Sequence, residues 1–169
     1  SRFEVYPCRG QFFTVSGFYK YFDTPIERYM QVTSESQIYY KNANFGTILG
    51  AEMEYRVNLG AILNKDSSRF LNNLTLFSNL SLMKSEVNVK GINDAVPETR
   101  PMQGQAPYLV NAGVSYIDNI LDFSFSAMVN RVGHKIYLVG NDILPNRWEN
   151  ARTVVDLQLT KTLLKKRLE

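Results

Sequence analysis

The sequence has very few of the residues from which disulfides, metal sites and catalytic centres are built. It contains one cysteine, Cys8, and one histidine, His134, among 169 residues. A single cysteine forms no internal disulfide, and the two side chains are too few for a Cys/His metal site. The sequence also has no glycine-rich phosphate loop and no nucleophile elbow. We therefore expect no enzyme activity, no bound metal and no cofactor.

Long hydrophobic runs are absent as well. No apolar run approaches the roughly 18 residues that a membrane-spanning helix needs, and the mean hydropathy is −0.22. The net charge of +3 is small and scattered along the chain, which argues against nucleic acid as a partner. Apolar residues make up 44% of the chain, which is typical of a packed protein and not of a disordered one. A β-barrel is still compatible with these values, because its strands are apolar only at every second position.

Apolar and polar residues alternate with a period of two in six segments. This is the pattern of a strand that lies between two unlike environments. In the clearest segment, the odd positions are apolar or Thr47, whereas the even positions are mostly charged residues and glycines. The pattern predicts an all-β fold with antiparallel, up-and-down strands. The six segments are Gln11–Tyr21, Phe45–Leu59, Asn72–Lys84, Tyr108–Asp118, Leu121–Arg131 and Thr153–Thr160.

The alternation also assigns the strand residues to two faces. A shift of one residue would move a whole strand to the wrong face, so the assignment can be tested against a structure. We expect one face to hold Leu49, Met53, Leu74, Leu80, Val110, Val114, Phe123 and Leu157. We expect the other face to hold Glu52, Glu54, Arg56, Asn111, Ser124 and Asp156. The candidates for polar residues that face the lumen of a barrel are Glu52, Glu54, Arg56, Asn111 and Asp156.

The links between the six segments alternate in length. Long links cover about residues 22–44, 85–107 and 132–151, and shorter ones lie around 64–68 and 118–120. Short turns on one side and long loops on the other are typical of outer-membrane barrels. Six strands cannot close a barrel, because the smallest single-chain barrels use about eight. The sequence therefore predicts a partial transmembrane β-barrel that contains about six strands of a larger one.

Five stretches of the chain, in one order, carry a family resemblance. Arg100–Gly113 has the form R-x-x-Q-G-Q-x-P-Y, and Gly50–Arg56, preceded by Asn42-Ala43, has the form G-x-E-x-E-x-R. The other stretches are Gly17–Glu27, Asn130–Gly133 and Arg152–Leu157. Together they are similar to late barrel strands of TonB-dependent outer-membrane receptors of the Bacteroidetes type. The resemblance covers about residues 4–169.

The resemblance implies a place for the chain in a larger protein. Residues 1–169 would be a fragment of one receptor barrel domain of about 22 strands, without the plug domain and the final strands. The receptor would lie in the outer membrane of a Gram-negative bacterium. Its partners would be membrane lipid, its own plug and remaining strands, and the TonB complex, which it reaches through the missing N-terminal part. The implied function is TonB-dependent uptake of a scarce small-molecule or oligomer nutrient. Siderophore, haem, glycan, peptide and vitamin all stay open.

Aromatic and arginine side chains in the long links are the candidates for substrate contact, because these residue types dominate binding hot spots. Their alternative role is to anchor the loops or to contact lipopolysaccharide. The alternative class for the whole chain is a soluble carbohydrate-binding or adhesin-like β-sandwich, whose Leu and Val faces would be buried against a second sheet. The candidate contact residues are Arg28, Tyr29, Tyr39, Tyr40, Tyr137, Arg147 and Trp148.

Overall fold

Strands make up most of the chain. A computed structural model describes residues 1–7, 10–32, 36–63, 68–90, 99–140 and 144–162, so that Cys8 lies outside the described residues. The predicted all-β class is confirmed. In these ranges the strands are β1 Arg2–Val5, β2 Phe12–Asp23, β3 Ile26–Val32, β4 Ser36–Asn42, β5 Phe45–Asn58, β6 Leu74–Asn88, β7 Thr99–Arg100, β8 Tyr108–Asp118, β9 Phe123–Val132, β10 Lys135–Leu138, β11 Arg147–Glu149 and β12 Arg152–Lys161. Two short helices, α1 Leu59–Ile62 and α2 Arg69–Asn72, lie between β5 and β6.

One antiparallel sheet contains the long strands. Its strand order is β1-β2-β5-β6-β8-β9-β12, with β7 paired to the end of β6. The six predicted segments correspond to β2, β5, β6, β8, β9 and β12, and strands that are neighbours among these six follow one another along the chain. The short strand β1 extends the sheet beyond β2. Among the described strands, the edges of the sheet are therefore β1 and β12.

The register of the sheet confirms the predicted apolar face. Met53 of β5 is opposite Leu80 of β6, and Leu80 is opposite Val110 of β8. Directly opposed residues project to the same side of a sheet. In the same register, Val114 and Leu157 are both opposite Ala127 of β9. The set that shares this side, here called the apolar face, is Leu49, Met53, Leu74, Leu80, Val110, Val114, Phe123 and Leu157.

The predicted polar set lies together on the opposite side. Glu54 is opposite Asn79, and Asn79 is opposite Asn111. Neighbouring strands also exchange side-chain hydrogen bonds on this side: Asn130 Nδ2 donates to Asn111 Oδ1 at 2.5 Å, and Ser81 Oγ to Glu52 Oε1 at 3.3 Å. The set on this side, here called the polar face, includes Glu52, Glu54, Arg56, Asn111, Ser124 and Asp156.

Many large side chains of the apolar face are exposed. Leu49 is 61% exposed and Leu157 is 71% exposed, and Tyr19 and Leu82 also lie open. Within the described part of the chain, these side chains are not buried against a second sheet. The soluble β-sandwich alternative would require such burial. The sheet thus presents a broad apolar surface on one side and polar groups on the other.

The connections between the strands form two groups, one at each end of the sheet. At one end, here called the loop end, lie the β3–β4 hairpin, residues 99–107 with β7, and the β10–β11 hairpin. These hairpins and β7 fall in stretches that the sequence predicted only as long links. At the other end, the turn end, lie residues 119–122 and the two helices. In the described ranges, neither helix is long and apolar enough to cross a membrane.

The connection between β5 and β6 corresponds to the shorter link predicted around residues 64–68. It spans residues 59–73 and contains both helices, although residues 64–67 lie outside the described part. Each helix begins at a polar cap: Asn58 Oδ1 accepts from the Ala61 amide at 3.2 Å, and Ser68 Oγ accepts from the Leu71 amide at 3.5 Å. Side-chain caps of this kind satisfy amides that a helix terminus leaves free. The two helices were not predicted, because four-residue helices show no periodicity.

A buried carboxylate organises the turn end. Asp118, the last residue of β8, accepts hydrogen bonds from the amides of Ile120 and Leu121 at 3.0 Å and from the Tyr116 hydroxyl at 3.1 Å. It also forms an ion pair with Arg69 of α2. These contacts attach the helical connection to the tight turn between β8 and β9.

Two glycines of the polar face lie beneath aromatic rings. Phe18 is directly opposite Gly50, and Phe77 is directly opposite Gly113. A Cβ atom would lie 2.4 Å from Cζ of Phe18 at the first position and 2.4 Å from Cζ of Phe77 at the second. Real Cβ atoms do not approach a ring so closely, so each ring can lie across its neighbouring strand only because that residue is glycine. At Gly17 the nearest atom would be 3.9 Å away, and no such constraint applies.

Candidate functional site

The three excursions at the loop end contact one another and are here called the loop cluster. It consists of the β3–β4 hairpin, residues 99–107 and the β10–β11 hairpin. The Met30 amide donates to the Val139 carbonyl at 3.0 Å, and the Val139 amide donates to the Arg28 carbonyl at 3.1 Å. The Gly104 amide donates to the Ile136 carbonyl at 2.9 Å. Segments that are far apart in sequence therefore form one unit.

An apolar core lies inside the loop cluster. It contains Tyr29, Ile136 and Val139, which are all buried. The half-buried ring of Tyr39 stacks on Tyr29, with 5.6 Å between the ring centroids. Burial raises the pKa of the Tyr29 phenol, because the charged form would lose its hydration. The core keeps the two hairpins together.

A buried ion pair links the β3–β4 hairpin to β7. Arg100 Nη1 donates to Glu27 Oε1 at 3.0 Å, and Arg100 Nη2 donates to Glu27 Oε2 at 2.6 Å. The side chains are only 6% and 3% exposed, respectively. The guanidinium also donates to the Pro101 carbonyl at 3.1 Å and to the Tyr29 hydroxyl at 3.3 Å. A bidentate ion pair of this kind is among the strongest contacts that a carboxylate can form.

Gln103 joins all three excursions. Its Oε1 accepts from the Arg28 amide at 2.7 Å, and its Nε2 donates to the carbonyls of Arg28 at 3.1 Å and Tyr137 at 2.7 Å. Its own amide donates to Glu27 Oε1 at 3.0 Å. Arg100 and Gln103, the first and last residues of the R-x-x-Q part of Arg100–Gly113, therefore hold the loop cluster together.

Three of the predicted contact residues lie together on the surface of the loop cluster. Arg28 is opposite Tyr40 in the β3–β4 hairpin, and its guanidinium lies over the Tyr137 ring, 5.3 Å from the centroid. Tyr40 is 70% exposed, and about half of Tyr137 is exposed. This group, here called the Arg28 surface, offers a cation over the ring of Tyr137, with the exposed Tyr40 opposite Arg28 in the hairpin. It can contact a ligand that reaches the loop end.

The structure places the other four predicted contact residues differently. Tyr29 is only 3% exposed, so it is a core residue and cannot meet a substrate directly. Tyr39 packs against it and belongs to the same core. Arg147 is exposed at the start of β11, opposite Leu138. Trp148 is half-exposed and contacts the ring of His134, with 5.3 Å between the centroids.

A pocket of about 440 Å³ lies between the end of β6, residues 99–107 and the β10–β11 hairpin. Sequence reasoning did not find it, because its residues come from three separate stretches and His134 stood alone in a long link. Among the described residues, no group of three or more His, Cys, Asp or Glu side chains is arranged to hold a metal. The pocket is lined by Met83, Ser85, Arg100, Gln105, His134 and Trp148, among others.

Comparison of the chain with protein-family models, with curated proteins and with solved structures found no match. The function must therefore be inferred from the residues of the chain and from their geometry. The two features that bear on it are the two-faced sheet and the loop cluster at one end.

Proposed function

We propose that this chain is a segment of a transmembrane β-barrel in the outer membrane of a Gram-negative bacterium, and that the barrel belongs to a TonB-dependent uptake receptor. The observation that carries the proposal is the apolar face, which runs through all six long strands opposite a polar face. Large apolar side chains of this face are exposed on β2, β5, β6, β9 and β12, and those on β8 are half-buried. Soluble monomers rarely expose a contiguous apolar patch larger than about a few hundred Å². Lipid in contact with this face would remove the free-energy cost of exposing it to water.

Aromatic residues support the membrane setting by their position on the apolar face. At the loop end, the rings of Tyr21 and Phe45 stack with 6.0 Å between centroids. At the turn end, Tyr116 stacks on Phe70 of α2 at 5.3 Å. Barrels in the outer membrane carry an aromatic girdle at each edge of an apolar band that is about 25 Å tall. Two groups of rings at opposite ends of one face are consistent with two such girdles.

The height of the apolar face supports the same reading. Tyr108 and Tyr116 lie near the two ends of β8, eight residues apart on the apolar face. At a rise of about 3.3 Å per residue, they are separated by about 26 Å along the strand. A strand tilt of about 40° reduces this distance to a height of about 20 Å, close to the thickness of the apolar band.

In the proposed receptor, the polar face lines the lumen, and the strands continue beyond the edges β1 and β12 into the remaining barrel. The resemblance of Arg100–Gly113 and of the other four stretches supports a barrel of about 22 strands with a plug and a TonB-driven cycle. The protein would then be a transporter and not an enzyme. The Arg28 surface, at the loop end, is the proposed first contact for the nutrient.

The purified chain is expected to form large particles in buffer without detergent, because its apolar face and both sheet edges are open. In detergent micelles we expect particles of one defined size. Light scattering with and without detergent measures both states. A monomer that is monodisperse without detergent would contradict the proposal and favour the soluble β-sandwich.

A further inference from the structure

We propose that the pocket beside Trp148 binds a neutral, polyhydroxylated small molecule of the size and chemistry of one or two sugar rings. The inference concerns the pocket alone and does not depend on the membrane setting of the sheet. It rests on the shape of the pocket walls, on its hydrogen-bond donors and on its charge balance.

The walls of the pocket offer flat apolar surfaces. Trp148 and His134 lie on one side, in mutual ring contact, and Pro101 and Pro107 also line the pocket. The indole of a half-exposed tryptophan combines a large apolar face with a polar N–H group. A sugar ring carries C–H groups on its faces and hydroxyl groups around its rim, so it can stack on such a surface. The volume of about 440 Å³ is within the range of small-molecule sites.

The pocket contains hydrogen-bond donors that are poorly used within the described chain. Gln105 Nε2 contacts the sulfur of Met83, a weak acceptor, at 3.0 Å, and its other hydrogen bond, to the Ala106 carbonyl, is long at 3.4 Å. Ser85 Oγ accepts from the Met102 amide at 3.2 Å, which leaves its hydroxyl proton to donate. A ligand rich in oxygen acceptors would satisfy these groups better than an apolar one.

The charged side chains at the pocket are paired within the protein. Arg100 is neutralised by Glu27, and Lys84 forms an ion pair with Glu86 at 2.9 Å. A charged ligand would have to compete with these pairs or be buried without a counter-ion. The pocket therefore favours a neutral ligand over a carboxylate or a phosphate.

Trp148 is the single tryptophan of the chain, so its fluorescence reports on the pocket directly. The detergent-solubilised chain, or the chain in buffer if it is soluble, is titrated with glucose, galactose, mannose, maltose, lactose and cellobiose, and with succinate as a charged probe. We expect a saturable change in emission with at least one sugar and none with succinate. The Gln105→Leu variant is expected to weaken the sugar about tenfold through the loss of one donor.

The Gln158→Leu variant is the matched control, because it makes the same substitution at an exposed residue of β12 that is not among the residues that line the pocket. It should bind the sugar as the parent chain does, and far-UV circular dichroism should show the same strand content for both variants. Three results would overturn the proposal: no saturable signal from any of the six sugars, equal binding by Gln105→Leu, or equal binding of succinate. None of these results bears on the lipid contact of the apolar face.

Discussion

The Arg100→Met variant is expected to open the loop cluster at a free-energy cost of about 3–5 kcal/mol, which is typical when one partner of a buried ion pair is removed. Glu27 would then remain buried without its counter-ion, and the Tyr29 hydroxyl and the Pro101 carbonyl would lose a donor. Hydrogen exchange measures the effect locally. The amides of Met30, Gly104 and Val139, which join the excursions, should exchange far faster than in the parent chain.

The Lys84→Met variant is the matched control for this prediction. Lys84 also forms an ion pair, with Glu86, but its side chain is 79% exposed. Exposed pairs contribute only about 0–1 kcal/mol, so exchange in the loop cluster should change little. The double variant Glu27→Leu/Arg100→Met should be less harmful than Arg100→Met, because it leaves no buried charge. Equal effects of Arg100→Met and Lys84→Met would show that the buried pair does not hold the cluster together.

The second large effect is expected from a charge on the apolar face. Leu80 lies near the centre of the sheet, between Met53 and Val110. In lipid, the Leu80→Arg variant should lose about 2–4 kcal/mol of folding free energy, as arginine does near the midplane of an outer-membrane barrel. The Asn79→Arg variant places the same side chain one residue away but on the polar face, next to Glu54, and should fold almost as the parent chain does.

Urea titration of the chain folded into lipid vesicles measures both variants on one scale. We expect a large fall in the urea midpoint of unfolding for Leu80→Arg and a small change for Asn79→Arg. A reversed order, or equal losses, would mean that the apolar face does not meet lipid.

The long strands could be predicted from the sequence because each one separates two unlike environments. Period-two alternation then indicates both the strand and the residues that share a face. It also excludes a slip by one residue, since such a slip would exchange the faces. The β8 strand shows this most clearly, as its predicted and observed bounds coincide. Strand β1 was not predicted, because it has only four residues and is exposed along its whole length.

The loop cluster could not be predicted, because its contacts join residues that are far apart in the chain. Glu27 and Arg100 are separated by 73 positions, and neither lies in a periodic pattern that indicates burial. Residue type alone also fails to separate core from surface. Tyr29 and Tyr40 belong to the same hairpin, yet one is 3% and the other 70% exposed. Tyr29 is buried because the β10–β11 hairpin, Tyr39 and Arg100 pack against it, whereas Tyr40 projects from the other side of its hairpin.

Spin labelling along β8 shows whether one face of this sheet meets lipid. Single cysteines are introduced along β8 into a Cys8→Ser background, spin-labelled, and studied in lipid vesicles by their collisions with oxygen and with a water-soluble nickel complex. Labels at Val110, Ala112 and Val114 should meet oxygen and be protected from nickel, whereas labels at Asn111 and Ser115 should show the reverse. If the labels at the even positions are shielded from both reagents, the apolar face packs against protein and the membrane-barrel account is wrong.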